Sequence, residues 1–251
     1  LRAGKEIGDI PIEVANDGDV TALTGAMNLE DNSVLGIAMG TAEAGGYVNE
    51  HGNITGWLNE LAFVPIDFNF DAAVDEWAGD YGCGVKYFSQ DSVIKLAGNA
   101  GMRFEDDLSP AEKLKVVQGL MAKGDDIAEK IYQSIGCYLG YSIAYYAEFY
   151  DIKIVLLLGR VTSGKGGEII LNKANEVLDN EFPELAKKIN VLPNDGERGK
   201  KKIQAHLTVQ QKVDHDIPLK DEEKEAYPNL SIEQREKIEE KERWRSCRQL
   251  V

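Results

Sequence analysis

Two apolar runs, Ser33 to Met39 and Ile152 to Leu158, each lead directly into a glycine-rich segment, Gly40 to Gly46 and Gly159 to Gly167. The second run carries one charged side chain, Lys153, and reads as a central strand buried on both faces. A helical pattern, Glu168 to Leu178, follows its glycine segment. Strand, glycine turn and helix in that order are the grammar of α/β proteins with a parallel sheet component. This excludes an all-helical bundle and a β-sandwich. It also says where a ligand would sit, because open α/β sheets bind at the carboxyl ends of their strands.

A third unit opens the chain. Ile10 to Ala15 alternates and is β-branched, and reads as a strand running into Asn16-Asp17-Gly18-Asp19 and a helix to Met27. Asp17 or Asp19 falls at the helix N-terminus, where backbone N–H groups lack partners. Tyr47 and Val48 begin a further strand, and Asn49 to Asn53 suits a hairpin turn. From Asp67 to Tyr150 the pattern is helical. It is clearest from Asp125 onward, where Ile127, Ile131, Ile135, Leu139 and Ile143 repeat at i, i+4. These helices are expected to pack on the sheet. Beyond Gly199 the chain is dense in charge and reads as a solvated helix or a frayed tail. The organisation expected is therefore 1–15 as the last helix and strand of a preceding domain, 16–199 as a nucleotide-binding domain, and 200–251 as a charged tail.

The formal net charge of -15 argues against nucleic acid as a partner, since phosphate backbones attract basic faces. Lys200 to Lys202 is a short exception that suits a solvated turn. The three cysteines, Cys83, Cys137 and Cys247, are odd in number and far apart, which fits a reducing compartment and not a disulfide framework. A cytoplasmic location is expected. No apolar run is long enough to cross a bilayer. The first residue is Leu1 and not methionine, so a fragment or processed product is expected.

Three turns of small or carboxylate residues, then, sit at strand ends: Asn16 to Asp19, Gly40 to Gly46, and Gly159 to Gly167. Their order and content resemble the ROK family of bacterial sugar kinases and sugar-responsive repressors. The family's Glu-Asn-Asp-Ala-Asn stretch is matched by Ala15-Asn16-Asp17-Gly18-Asp19. Its Gly-Thr-Gly-x-Gly-Gly-Gly turn is matched by Gly40-Thr41-Ala42-Glu43-Ala44-Gly45-Gly46. Its Gly-Glu-x-Gly-His element faces Asn59-Glu60-Leu61-Ala62-Phe63, and its Leu-Gly-Gly-Gly-Val-Ser faces Leu157-Leu158-Gly159-Arg160-Val161-Thr162. The resemblance covers residues 7–192, and none of the four motifs is intact.

The resemblance implies the C-terminal half of a ribonuclease H-like/actin-like ATPase fold, a mixed sheet flanked by helices. It implies ATP-dependent phosphorylation of a sugar hydroxyl in the complete protein, with Mg²⁺ on the phosphates. Asp17 would be the general base, although an Asp at this place also suits a plain helix cap. Asn16 and Glu60 would bind the sugar. Gly40, Thr41 and Gly45 would meet the phosphates, and Gly159 and Gly164 would flank the adenosine. A homodimer is implied as well.

The departures matter too. Phe63 stands where the family has a zinc-site histidine, and only Cys83 remains of its cysteine cluster, so no structural zinc is expected. Ala42 and Ala44 replace glycines, and Glu43 would repel phosphate if it pointed inward. The family's first phosphate motif belongs to an N-terminal domain that this sequence lacks, so weak or no turnover by this chain alone is expected. Two other readings stand beside this one. A ROK-type sugar-sensing domain would bind without phosphorylating. Gly159 to Gly166 nearly spells a P-loop, but Gly166 replaces the Ser or Thr that would follow Lys165.

Overall fold

The computed structural model describes residues 16–193. The expected strand at Ile10 to Ala15, the Lys200 to Lys202 turn and the charged tail lie outside these residues, as do Cys247, His206 and His215.

A four-stranded mixed sheet in the order β2-β1-β3-β4 organises the chain. Strand β1 (Val34–Met39) pairs antiparallel with β2 (Glu43–Val48) and parallel with β3 (Ile154–Leu158), and β3 pairs parallel with β4 (Asn190–Pro193). The two apolar runs thus become neighbouring parallel strands, Val34 beside Ile154 and Ala38 beside Leu158. Their continuous apolar character follows from burial on both faces. The expected glycine turn at Gly40 to Gly46 is shorter than the sequence suggests. Glu43 to Gly46 are already strand, leaving only Gly40 to Ala42 to reverse the chain.

Helix α1 (Asp17–Leu29) packs on one face against β1 and β2. On the other lie α2 (Gln90–Asn99), α3 (Pro110–Ala122), α4 (Asp126–Tyr146) and α5 (Lys165–Glu181), with the short α6 (Pro183–Ala186) before β4. Helix α4 is central. Asp125 caps it by accepting from the Ile127 and Ala128 N–H groups, and Ile131, Ile135, Leu139 and Ile143 are buried as their spacing predicts. Burying each such side chain is worth about 1.5–3 kcal/mol. Ile127, the first of the repeat, is 41% exposed and lies off the core. Helix α3 starts on a capping box, Ser109 with Glu112, with Pro110 in its first turn.

Two boundaries differ from the sequence expectation. Residues 68–89 form no α-helix, only a single 3₁₀ turn at Gly84–Lys86. Here Asp67 accepts from the Asn69 N–H and Asp75 from the Ala78 N–H, so local side chain to backbone bonds outcompete the helix. Gly79 and Gly82 also take positive φ. Helix α5 begins at Lys165, three residues before Glu168, so Gly166 and Gly167 are helix and not turn.

Candidate functional site

The site begins at the N-terminus of α1. The cap is Asn16, whose side-chain oxygen accepts from the Gly18 N–H at 2.8 Å. Asp17 is the first helical residue, exposed, and its carboxylate also accepts from the Gly18 N–H, at 2.9 Å. The capping role that the sequence offered to Asp17 is thus filled by its neighbour. An ionised carboxylate in a first helical turn is favoured by the helix dipole. Gly18 is where α1 meets β2: a side chain on it would collide with the Gly45 carbonyl, and one on Gly46 would collide with Gly18. Two backbones touch here, which only glycine permits.

Glu60 reaches this helix from a distant loop. Its Oε1 accepts from Asn16 Nδ2 at 3.2 Å. The Asn16 amide is therefore used at both ends, its oxygen on the helix and its nitrogen on Glu60. Next door, buried Asp19 accepts from Asn59 Nδ2 at 2.8 Å and from the Tyr47 N–H at 3.3 Å. The Tyr150 hydroxyl donates to Asn59 Oδ1 at 3.1 Å, and its ring packs on Tyr47 and Trp57. Burial, with the Asp19 carboxylate nearby, raises the Tyr150 pKa, so the hydroxyl stays a donor. Asn59 adopts φ 50, the left-handed region, where Asn is tolerated better than most residues. This second layer, Asp19, Asn59 and Tyr150, is one the sequence reading missed. The only signal for it was the polar run on either side of Asp17 and Glu60.

The two glycine bends lie at the same end of the sheet. Gly40 follows β1 and Gly159 follows β3, and these strands run parallel side by side. The bends also touch. Gly159, at φ 97, lies so close to the Met39 carbonyl that no side chain would fit, and the Val161 N–H donates to Met39 O at 3.1 Å. Within them, the candidate residues divide. Thr41 is exposed, and Gly164, at φ 61, opens onto free space just before α5. Gly40 is not available as an N–H donor, because its N–H already bonds Ala42 O at 3.0 Å. Gly45 lies inside β2, covered by the Leu61 side chain, and not in the turn. Arg160 is exposed, and its carbonyl accepts from Gln118.

Glu43 does not point toward the Gly40 bend. It pairs in register with Met39, is 5% exposed, and sits beneath the turns at Leu61 and Gly84. Neither carboxyl oxygen has a hydrogen-bond partner among the described residues, and burial raises its pKa to about 8. Burial thus favours its uncharged form, which would weaken any repulsion of a phosphate. Cys83 is buried, and desolvation pushes its thiol pKa up. Among the described residues no group of three or more His, Cys, Asp and Glu side chains could hold a metal ion, and no helix is long and apolar enough to cross a membrane.

No protein-family profile and no curated protein sequence matches the chain. Solved structures do match it in fold. A ROK family transcriptional regulator, a homologue of the E. coli MLC protein, superposes with a TM-score of 0.61 at 21% identity, over 76% of this chain and 50% of that one. The ROK hexokinase from Thermus thermophilus gives 0.61 at 19% identity, over 81% and 70%. A ROK family glucokinase from Streptomyces griseus, solved with glucose and AMPPNP, gives 0.56 at 18% identity, over 76% and 65%. The fold is therefore that of ROK proteins, an actin-like arrangement with a mixed sheet between helices, and the chain spans between half and seven tenths of these relatives.

Proposed function

We propose that this chain is the C-terminal half of a ROK-type sugar kinase, contributing the sugar-hydroxyl and nucleotide faces of an ATP-dependent phosphotransferase. The observation that carries this reading is the Asn16–Glu60 hydrogen bond, which draws two hydroxyl-binding side chains to the helix turn that exposes Asp17. Asn16 and Glu60 retain spare donor and acceptor capacity for sugar hydroxyls. Asp17 takes the proton from the attacking hydroxyl, for which it needs only to be ionised and within reach. Thr41 and the Gly159 to Gly164 turn face the phosphates and adenosine, with Arg160 exposed alongside them to offset charge.

The donor set would suit Mg²⁺ held chiefly by phosphate oxygens and not by a cage built from protein, with the exposed Asp17 and Thr41 as the protein oxygens that could assist. Such an ion would neutralise charge on the transferring group. A cytoplasmic homodimer belongs to the same reading. Calorimetry with Mg-ATP and a panel of hexoses, on this chain and on Asp17→Asn, tests it. Nucleotide heat in both, with phosphoryl transfer lost only in the variant, supports a kinase.

A second reading, a sugar sensor that binds without phosphorylating, is favoured by the regulator's TM-score of 0.61, equal to that of the hexokinase. Hexose heat with no transfer, even when the missing half is supplied, would select it. A P-loop has less support, because the fold is that of ROK proteins.

A further inference from the structure

Beside Glu60 the chain presents an aromatic pair that the chemistry above leaves unused. Leu61–Phe63 form a single 3₁₀ turn, closed by the Phe63 N–H donating to Glu60 O at 3.2 Å. Glu60 caps this turn and Phe63 ends it, so the two positions bracket a single short turn. Between them Leu61 and Ala62 are buried, at 2% and 7% exposure, and face the core. Phe63 is 38% exposed, and its ring lies 5.6 Å from that of Trp77 with 35° between the planes. Trp77 itself is 85% exposed. Its loop is held: the Gly79 N–H donates to Asp75 O, the Asp75 N–H to Asp80 O, and Val74 bridges to Tyr81.

Single exposed aromatic residues are ordinary, but two in ring contact beside a carboxylate–amide pair make an unusual combination. A flat apolar shelf next to hydroxyl-binding groups matches one ligand shape. A pyranose ring has a C–H face that repels water and an edge of hydroxyls. An acyclic polyol has the hydroxyls and no face. Phe63 also brings no hydrogen-bond capacity, so whatever covers it must present carbon.

We propose that Phe63 and Trp77 form a platform for the C–H face of a pyranose whose hydroxyls are held by Asn16 and Glu60. This rests on the sugar reading above and narrows it to ring-form sugars, selected by shape as well as by hydroxyl pattern.

The test is calorimetric titration of the full chain with glucose, mannose and N-acetylglucosamine, and with sorbitol as the acyclic control. The variants are Trp77→Ala, Trp77→Phe, Phe63→Ala and Glu60→Gln. Because Trp77 is so exposed, its removal should leave the circular dichroism spectrum and melting temperature unchanged. Trp77→Ala is expected to weaken hexose binding about three- to tenfold, the range of an aromatic contact, with Trp77→Phe restoring most of it. Sorbitol should not bind. If Glu60→Gln abolishes binding while Trp77→Ala and Phe63→Ala bind as wild type, or if sorbitol binds like glucose, the platform is overturned and the hydroxyl site stands. If no hexose binds the wild-type chain, the sugar reading and the platform fall together.

Discussion

Asn16 and Glu60 stand 44 positions apart, and the amide of the first donates to the carboxylate of the second at 3.2 Å while its oxygen caps α1. One side chain thus serves helix stability and the site together. The two roles can be separated. Asn16→Ser keeps an N-cap and loses the Glu60 contact, whereas Asn16→Ala loses both. Thermal melts should show the alanine variant about 1 kcal/mol less stable than the serine variant, with sugar affinity equally weakened in the two.

Asp17 is expected to matter for turnover and not for folding, because Asn16 provides the cap. In the complete protein, Asp17→Asn should lower the phosphoryl-transfer rate about 10²- to 10⁴-fold with nucleotide affinity unchanged. A coupled ADP-release assay beside nucleotide calorimetry measures both. A variant that retains wild-type turnover removes Asp17 from the chemistry.

Glycines that look alike in sequence should respond in opposite ways. Gly18→Ala and Gly46→Ala drive a methyl group into backbone across the α1–β2 contact, where neither partner can yield. A loss of about 3 kcal/mol or more is expected, as for severe overpacking. Gly119, in the middle of α3 with open space around it, should instead gain about 0.5–1 kcal/mol as alanine. Urea midpoints of the three variants make the comparison.

Glu43 predicts a pH dependence of stability. Its carboxyl pKa is raised from the ordinary 4.5 to about 8 in the fold, because burial disfavours the charge. Between these values the folded chain holds a proton that the unfolded chain has released, so stability falls as pH rises. Its contribution is fully present below the unfolded value and is lost as pH climbs to about 8. The slope expected is about 1.4 kcal/mol per pH unit. Glu43→Met, apolar and of similar volume, should flatten that part of the profile and raise the melting temperature at pH 8. A wild-type melting temperature that is level across this range would show that Glu43 is not neutral in the fold.

Lys165 separates the kinase reading from the P-loop one. Its ammonium lies 3.9 Å from Glu129, half exposed, an ion pair worth at most about 1 kcal/mol. Lys165→Ala should therefore be mild in stability and in nucleotide affinity. Abolished nucleotide binding would revive the P-loop.

Much of this arrangement could be read without coordinates. The helix start near Asp17, the i, i+4 repeat of α4 and the apolar runs of β1 and β3 are local signals, and each became the expected element, with the cap itself falling to Asn16. Placing the Gly40 and Gly159 bends at one end of the sheet needed only the rule that parallel strands deliver their carboxyl ends together. Residues 68–89 were misread because helical periodicity takes no account of Asp side chains that capture nearby N–H groups, as Asp67 and Asp75 do.

What the chain's order of residues determined, then, was the set of elements and the presence of close-approach points, since both depend on neighbours within a few positions. It could not say what each glycine approaches. Gly40, Gly45 and Gly46 form one run, yet one lies in the bend, one beneath Leu61 and one against the backbone of α1. Nor could it decide that Glu43 turns inward, which follows from its register opposite Met39. The pairing of Glu60 with Asn16 and of Asn59 with Asp19 is likewise tertiary. A hydrogen bond across some forty residues leaves no periodicity, and it exists only because the loop carrying Glu60 is brought to the start of α1.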